Sequence, residues 1–371
     1  MTPDFWHKKT EGPTIIPPLA EPGQRLKSRV WYRVNIPDGI SGDGSEYHIY
    51  VKRAPSKDLC IFLSGGGIAW NEYTAARPVT TPKMLIRLPN YYWSNLRPVT
   101  QIMNINIGIT QTGSVRNPFN DWNFIVIPYS TGDLHLGNND FVYHTDNGEE
   151  NILHFHGYSN FRSAMDAGAS FFPEAKRILI AGNSAGAFAV PALAGDIADL
   201  YYPDCRDITL FSDSGQLLYK KWKKTLRDVW KTDKRFWSAV HSENITLDFY
   251  RALFKKYGNR FRCLYSSSTR DYLLSTYYND VTNKIYKTDR DVQDAFFAGL
   301  QKMIKELKEL SEDFGIYIDP WKFPFTQGGT VHTAVRELYF AFKTVDGITM
   351  ARWLADAVSG DVYDVGMKLL L

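Results

Sequence analysis

Cysteine is scarce in this chain. Its 371 residues include Cys60, Cys205 and Cys263, an odd and small number that argues against a disulfide framework. Cys60 and Cys263 lie within apolar runs, so we expect buried free thiols. This cysteine usage leads us to expect a reducing, cytoplasmic location.

The chain also lacks a large excess of charge of either sign. Basic residues number 43 and acidic residues 40, which gives a formal net charge of +3. This balance provides no electrostatic basis for a nucleic-acid partner. A protein that binds a membrane surface or nucleic acid through Lys220, Lys221, Lys223 and Lys224 is an alternative. We favour a solvated helix face for these lysines, because acidic residues nearby weaken their field.

Long hydrophobic runs are absent too. No segment approaches the ~20 consecutive apolar residues that a transmembrane helix needs, so we expect no membrane partner. Residues 1–22 contain Lys8, Lys9 and several prolines without an apolar stretch, which is not the pattern of a signal peptide. We interpret residues 1–23 as an extended arm.

Two kinds of apolar segment predict the fold. Residues 28–36 and 46–53 alternate with period two, which predicts an antiparallel hairpin. Continuous apolar runs, typical of strands buried on both faces, occupy residues 58–63, 122–128, 177–181, 208–211 and 262–265. Helical patterns occupy residues 158–172, 185–200 and 289–314. This alternation predicts an α/β fold with a mainly parallel sheet flanked by helices.

A serine lies in the turn that follows one of the predicted buried strands. Residues 182–186 read Gly-Asn-Ser-Ala-Gly, and an alanine-rich helical stretch comes directly after them. A Gly-x-Ser-x-Gly turn between a strand and a helix lifts the serine hydroxyl above the sheet edge, as a nucleophile requires. The alternative is an ordinary strand-to-helix turn. We favour a nucleophilic Ser184 because of the flanking strand and helix.

The predicted general base is His332 and the predicted acid is Asp271. In α/β-hydrolases the acid and then the histidine follow the serine along the chain. His241 lies within a charged helical segment, whereas His332 lies in a Gly-rich loop, so we favour His332. Asp271 follows a late strand through a Ser/Thr bend. The alternative acid, Asp213, ends the strand after the nucleophile helix, where a structural role is more common.

Backbone N–H groups form the oxyanion hole that such a nucleophile needs. The amide of Ala185, the residue after the nucleophile, is one predicted donor. Residues 64–67 read Ser-Gly-Gly-Gly after an apolar strand, so this loop is the candidate for the second donor. A plain glycine-rich turn is the alternative. A phosphate loop is disfavoured, because no Gly-Lys-Ser/Thr follows.

Several short motifs in a fixed order resemble the pectin acetylesterase/Notum family of carboxylesterases, and more closely its bacterial members. The resemblance extends from about residue 43 to residue 335. Its motifs are Asp43 to Ser45, Leu63 to Gly67, Asn117 to Phe119 with Trp122, Pro128 to His135, His156 to Tyr158 with Asn160, Gly182 to Gly186, Ser212 to Gly215, and His332 with Thr333. Together these motifs are much more specific than any one of them.

The resemblance implies an α/β-hydrolase fold and a set of site residues. The implied triad consists of Ser184, Asp271 and His332. The implied oxyanion hole consists of Gly66, Gly67 and Ala185. Asp213 is structural by the same analogy.

The resemblance also has departures, which concern the substrate cleft. Ile68 stands where the family usually has a tryptophan, so the wall beside the acyl group is expected to differ. Asp133 and His135 are expected at the same sheet end, where they line the cleft or hold a loop. Two such residues are too few for a zinc site, which takes three or four ligands.

These observations predict a serine carboxylesterase that deacetylates an O-acetylated carbohydrate through an acyl-enzyme and without a cofactor. A long-chain acyl esterase and a non-catalytic relative that binds a sugar or acyl ligand are the alternatives. We expect one catalytic domain over residues 24–371. Insertions at about residues 76–116 and 217–257 are expected to cover the active-site end of the sheet.

Overall fold

A sheet of eight strands forms the centre of the molecule. The computed structural model describes residues 16–80, 88–97 and 104–371. The strands there are β1 (Trp31–Ile40), β2 (Glu46–Lys52), β3 (Leu59–Leu63), β4 (Asn123–Ile127), β5 (Asn139–His144), β6 (Glu150–Phe155), β7 (Arg177–Asn183), β8 (Asp207–Asp213), β9 (Arg262–Ser268) and β10 (Gly315–Asp319). The sheet order is β1-β2-β4-β3-β7-β8-β9-β10, and β5 pairs with β6 in a separate hairpin.

Helices flank this sheet. They are α1 (Glu72–Ala75), α2 (Gly157–Ala169), α3 (Ala185–Asp196), α4 (Trp222–Lys224), α5 (Lys234–Ala239), α6 (Ile245–Tyr257), α7 (Tyr272–Asn283), α8 (Arg290–Leu310) and α9 (Met350–Val358). Short π or 3-10 turns occupy Gly108–Thr110, Ile197–Tyr201, Thr225–Val229, Gly258–Arg260, Leu338–Ala341 and Met367–Leu370. In the main sheet β2 is antiparallel to its neighbours, and the other pairs are parallel. The predicted α/β class is confirmed.

The central strands are apolar throughout because both faces of the sheet are covered. In β3 every residue is buried. Ile61 and Leu63 belong to the core on one face, whereas Cys60 and Phe62 belong to the core on the other. Successive side chains of a strand point to opposite faces, so a strand between two helix layers needs apolar residues at each position.

The carboxyl ends of the parallel strands lie along one edge of the sheet. The Ser-Gly-Gly-Gly loop follows β3, Ser184 follows β7, and Asp213 ends β8. Asp271 comes three residues after β9, and the segment after β10 leads to His332. Residues that are far apart in the chain therefore meet at this edge, which is where open α/β sheets bind ligands.

The segment predicted as a helical insertion, residues 217–257, packs into the core. Trp222, Leu226 and Trp230 are fully buried in it. The Trp230 Nε1–H donates to the carbonyl of Ala69, just after the glycine loop, at 2.8 Å. The four lysines of residues 220–224 are exposed, as expected for a solvated face.

The other predicted insertion, residues 76–116, lies partly outside the described residues. Its described part contains Tyr91 and Tyr92, which are buried. The Trp93 N–H donates to the carbonyl of Gly66 at 2.9 Å, so this segment also supports the glycine loop. The two insertions thus contact the chain within and just after the glycine loop.

The start of the described chain lies along the edge strand β1. Ala20 N–H donates to the carbonyl of Arg33, and Arg33 N–H donates to the carbonyl of Pro18, each at 2.9 Å. The rest of the predicted arm, residues 1–15, falls outside the described residues. None of the helices in the described ranges combines the length and the apolar character that a bilayer crossing requires.

The cysteines are free and buried, as predicted for Cys60 and Cys263. The reducing location inferred from them stays a prediction.

Candidate active site

The turn between β7 and α3 holds Ser184 in a strained conformation. Its φ of 53° and ψ of −124° are rare for a residue with a side chain, and such strain marks functional turns. A Cβ on Gly182 would collide with the carbonyl of Gly186, so the flanking glycine is sterically required. The Ser184 N–H donates to the carbonyl of Asp213 at 2.8 Å. This is the geometry of a nucleophile elbow.

His332 and Asp271 form a direct hydrogen bond. The distance between His332 Nδ1 and Asp271 Oδ2 is 2.6 Å, and the Asp271 side chain is fully buried. The other carboxylate oxygen, Oδ1, accepts from the N–H groups of Leu273 and Leu274 at 3.0 Å and so caps helix α7. Each oxygen of Asp271 therefore has a separate task, and the helix cap fixes the orientation of the oxygen that faces the imidazole.

The backbone holds this pair from both sides. Thr330 N–H donates to the carbonyl of Arg270 at 2.8 Å, and Tyr272 N–H donates to the carbonyl of Thr330 at 3.1 Å. The segment that carries His332 is thereby aligned with the segment that carries Asp271. Their sequence separation is 61 residues.

The surroundings of His332 change the pKa of its imidazole. Burial lowers its pKa, but the negative charge of Asp271, the hydrogen bond to it and the charges of Asp213 and Glu337 together outweigh burial, so the pKa lies above the ordinary value of 6.5. Because Nδ1 donates to Asp271, the neutral tautomer carries its proton there and leaves a lone pair on Nε2. Within the described chain, the buried Nε2 has no hydrogen-bond partner. That atom is available to accept a proton, but no hydrogen bond joins it to the Ser184 hydroxyl in the described structure, so the contact between these two residues stays a prediction.

Asp213 is a second buried carboxylate at this edge, and it has different partners. Its Oδ2 accepts from the N–H groups of Ala334 and Val335, both at 2.8 Å. Its Oδ1 accepts from the hydroxyls of Ser266 and Ser214 at 2.8 and 3.2 Å. Burial raises its pKa. These contacts are those of a structural group.

The contacts of Asp213 also join the two halves of the site. Its backbone carbonyl accepts from Ser184, while its side chain fixes the residues that directly follow His332. Ser214 adds a hydroxyl that accepts from the Thr333 N–H at 3.2 Å. One short segment therefore positions both the serine turn and the histidine loop. His241, the alternative base, is exposed, and its N–H donates to Asp248.

The Ser-Gly-Gly-Gly loop lies against the serine turn. Gly65 N–H donates to Asn183 Oδ1 at 3.0 Å, and a Cβ on Gly65 would come within 2.6 Å of Ser184 Cβ. Gly67 has a φ of 82°, and a Cβ there would collide with the carbonyl of Tyr91. Among the described residues, the N–H groups of Gly66, Gly67 and Ala185 donate to no protein acceptor. They are the donors proposed for an oxyanion.

Three further residues predicted near the cleft are buried. Ile68 is 4% exposed and belongs to the main core. Asp133 accepts from the Thr131 hydroxyl and the Gly157 N–H, each at 2.7 Å, and burial raises its pKa to about 6. The contacts of Asp133 stabilise loops, in line with the structural alternative. A place for Ile68 or Asp133 beside the substrate stays a prediction.

His135, the third of these residues, supports the glycine loop. Its Nε2–H donates to the carbonyl of Ser64 at 2.9 Å, and burial lowers its pKa to about 4, so the ring is neutral. His135 therefore acts on the site through the backbone of the loop. Contact with substrate stays a prediction for this residue as well.

Sequence reasoning missed Arg336, which lies in the wall of a pocket beside the serine turn. The pocket has a volume of about 60 Å³, and its lining also includes Gly65, Asn183 and Glu337. The guanidinium is buried and donates through Nη1 to the Ser64 hydroxyl at 3.2 Å. Its Nε and Nη2 have no hydrogen-bond partner in the part of the chain that the structure describes. Burial lowers its pKa to about 9.

The only sequence signal for Arg336 was its position four residues after His332 in the chain. An arginine is ordinarily predicted to be a surface residue. Its burial depends on contacts with β3, where its guanidinium lies 4.9 Å from the ring centre of Phe62. Such contacts between distant segments leave no local pattern.

An elbow serine, a buried His–Asp pair and a glycine loop on a mainly parallel sheet define the class of the α/β-hydrolases. A comparison with family models narrows this class, because residues 37–286 match the model described as Pectinacetylesterase. The match covers more than half of the chain, so the chain belongs to the pectinacetylesterase family, a family of carboxylic ester hydrolases. No curated protein matches the chain.

The family match covers only part of the candidate active site. Ser184 and Asp271 lie within residues 37–286, whereas His332 and Arg336 lie after them. The sequence resemblance predicted an extent to about residue 335. The bond between His332 and Asp271 connects the unmatched segment to the matched one.

Proposed function

We propose that the protein is a serine esterase that removes acetyl groups from an O-acetylated carbohydrate. Ser184 is the nucleophile, His332 the general base and Asp271 the group that orients the base. The observation that carries this proposal is the 2.6 Å bond between His332 and Asp271 with the opposite imidazole nitrogen, Nε2, left unpartnered. It is supported by the strained elbow at Ser184, which belongs to the same sheet edge.

The first half of the reaction transfers the acyl group to the enzyme. His332 Nε2 accepts the proton of the Ser184 hydroxyl as Oγ bonds to the ester carbonyl carbon. The negative oxygen of the tetrahedral intermediate accepts hydrogen bonds from the backbone of the glycine loop and of Ala185. The carbon–oxygen bond to the sugar then breaks, and the sugar oxygen takes the proton from His332.

The second half regenerates the enzyme. A water molecule gives a proton to His332 Nε2 and attacks the acyl-enzyme carbonyl. The bond to Ser184 Oγ breaks, the serine recovers its proton from His332, and acetic acid leaves and loses its remaining proton to the solvent. Asp271 stays ionised throughout and stabilises the imidazolium that forms twice.

The family description and the pocket support acetyl as the acyl group. Proteins matched by a pectinacetylesterase model provide the precedent of acetyl esters on pectin. The pocket beside Gly65 and Asn183 has a volume of about 60 Å³, which suits a short acyl group better than a long chain. Arg336 also lines this pocket, and its guanidinium places a buried positive charge beside it.

The nucleophile is tested by replacing Ser184 with alanine and measuring hydrolysis of p-nitrophenyl acetate. We expect a loss in kcat of about 10⁴-fold or more, because no other group can form the acyl-enzyme. Ser170→Ala is the matched control, because Ser170 is an exposed serine at the end of α2. Wild-type turnover by Ser184→Ala would refute the proposed nucleophile.

The substrate is tested separately with acetylated oligosaccharides and with p-nitrophenyl esters of increasing acyl length. We expect acetate release from the oligosaccharides and a fall in kcat/KM beyond short acyl chains. A preference for long acyl chains would refute the acetyl assignment while leaving the serine mechanism intact.

A further inference from the structure

A compact group of two histidines and one aspartate lies on the β5–β6 hairpin. Asp140 of β5 is the direct cross-strand partner of His154 in β6. His156 follows two residues later, just after the end of β6, and its N–H donates to the carbonyl of His154 at 3.0 Å. The hairpin register and this tight turn bring the three side chains together.

Both imidazole rings direct a nitrogen at the same carboxylate oxygen. The distance from Asp140 Oδ1 is 2.6 Å to His154 Nδ1 and 2.9 Å to His156 Nε2. These three atoms lie within 4.8 Å of one another, and the two rings meet edge to face. An ordinary His–Asp pair engages one ring, whereas here three donor atoms converge on one point.

The two histidines of this group are largely buried, whereas the aspartate is open to solvent. The two histidine side chains are 21% and 28% exposed, whereas that of Asp140 is 58% exposed. His156 stands at the residue before helix α2, and the next N–H, that of Gly157, donates to the buried carboxylate of Asp133. The rings are thus held by the fold, and the carboxylate side is open to solvent.

We propose that Asp140, His154 and His156 form a binding site for a divalent zinc ion. Two neutral imidazoles and one carboxylate are a ligand set that Zn²⁺ uses, and water completes a tetrahedral arrangement at an open position. Ca²⁺ and Mg²⁺ prefer oxygen ligands, so the two nitrogen donors favour Zn²⁺. On binding, the nitrogen of each ring that faces Asp140 carries no proton, and its lone pair bonds to the metal.

The bound ion would join three segments: strand β5, strand β6 and the beginning of α2. The ester chemistry proposed above uses none of these three side chains. Zinc bound to the folded chain stabilises the fold around the hairpin.

The test measures zinc binding by isothermal titration calorimetry on the full chain after treatment with a chelator. We expect one zinc ion per chain. His154→Ala and His156→Ala should each weaken binding by at least about tenfold, since even the loss of a residue that only supports a ligand has an effect of that size. Circular dichroism of each variant establishes that it is folded.

His144→Ala is the matched control. His144 lies on the same hairpin and contacts a carboxylate, that of Glu72, at 2.9 Å, but it lies outside the three-residue group. We expect this variant to bind zinc like the wild type. Absence of stoichiometric binding to the wild type, or equal binding by all the folded variants, would overturn the proposal. So would a loss of binding in His144→Ala as large as the loss in His154→Ala.

Discussion

The ends of the neighbouring strands β8 and β9 offer two buried aspartates with contrasting surroundings. Asp213 ends β8 and gives both carboxylate oxygens to backbone N–H groups and serine hydroxyls. Asp271 follows β9 and divides its oxygens between a helix cap and the imidazole of His332. Both side chains are almost completely buried, at 1% and 0% exposure.

Burial near the histidine therefore does not identify the acid of a triad. The partners of each oxygen identify it. Asp213 could be replaced by any group that accepts from two N–H donors, whereas Asp271 must also accept from Nδ1 of His332. The same substitution, aspartate to asparagine, should therefore have a severe effect on kcat at Asp271 and a mild effect at Asp213.

Asp271→Asn should have the largest effect. The N–H groups of Leu273 and Leu274 require the amide oxygen on their side, so the amide NH₂ faces His332. Nδ1 must then accept, the imidazole proton moves to Nε2, and the base is lost. We expect kcat for p-nitrophenyl acetate to fall by about 10⁴-fold. A fall of less than tenfold in a folded protein would contradict the role given to Asp271.

Asp213→Ala should mainly reduce stability. It leaves the buried N–H groups of Ala334 and Val335 without an acceptor, and each orphaned donor costs about 1–3 kcal/mol. We expect urea denaturation to show a loss of at least about 2 kcal/mol in the free energy of unfolding. Unchanged stability would show that these hydrogen bonds do not hold the histidine loop.

Asp213→Asn should be the mildest of the three changes. The amide oxygen can accept from Ala334 and Val335, and the NH₂ can donate to the hydroxyls of Ser266 and Ser214, because a hydroxyl accepts as well as donates. We expect a change in stability within about 1 kcal/mol and less than a tenfold change in kcat. Inactivation as severe as that of Asp271→Asn would reverse the assignment of the two aspartates.

The pH profile of Asp213→Asn tests the electrostatic effect of Asp213 on His332, and the expected change is smaller than those above. The base must be neutral, so kcat/KM should fall as pH decreases through the pKa of His332, which lies above 6.5 in the folded protein. The charge of Asp213 contributes to raising this pKa. Asp213→Asn should therefore move the acidic limb to lower pH while most of the maximal kcat is retained. A limb that moves to higher pH would contradict this electrostatic account.

Much of the carboxyl edge could be predicted from the sequence, because its signals are local. The strand before Ser184, the glycines around it and the helix after it are contiguous, and each has a steric reason. The buried face of α8 could be predicted equally well. Its apolar residues recur at helical spacing and all are buried: Phe296, Leu300, Ile304 and Leu307. Patterns of this kind do not depend on distant parts of the chain.

The elements that were not predicted lack a clear local pattern. β10 begins just after the segment predicted as a helix, residues 289–314, and only three of its five buried residues are apolar, which is too short a run to stand out. The hairpin strand β5 alternates between exposed and half-buried residues, and therefore shows no clear apolar face. α9, with Trp353 and Leu354 in its buried face, was missed as well.

The account depends most on the cooperation of Ser184 and His332, which a double-mutant cycle measures directly. The quantity is kcat for p-nitrophenyl acetate in Ser184→Ala, His332→Ala and the double variant. If the two side chains act as one unit, each single change costs about 10⁴-fold or more, and the double variant is no slower than the slower single variant. A double variant slower by the product of the two single effects would mean that they act independently, and would contradict the proposed triad.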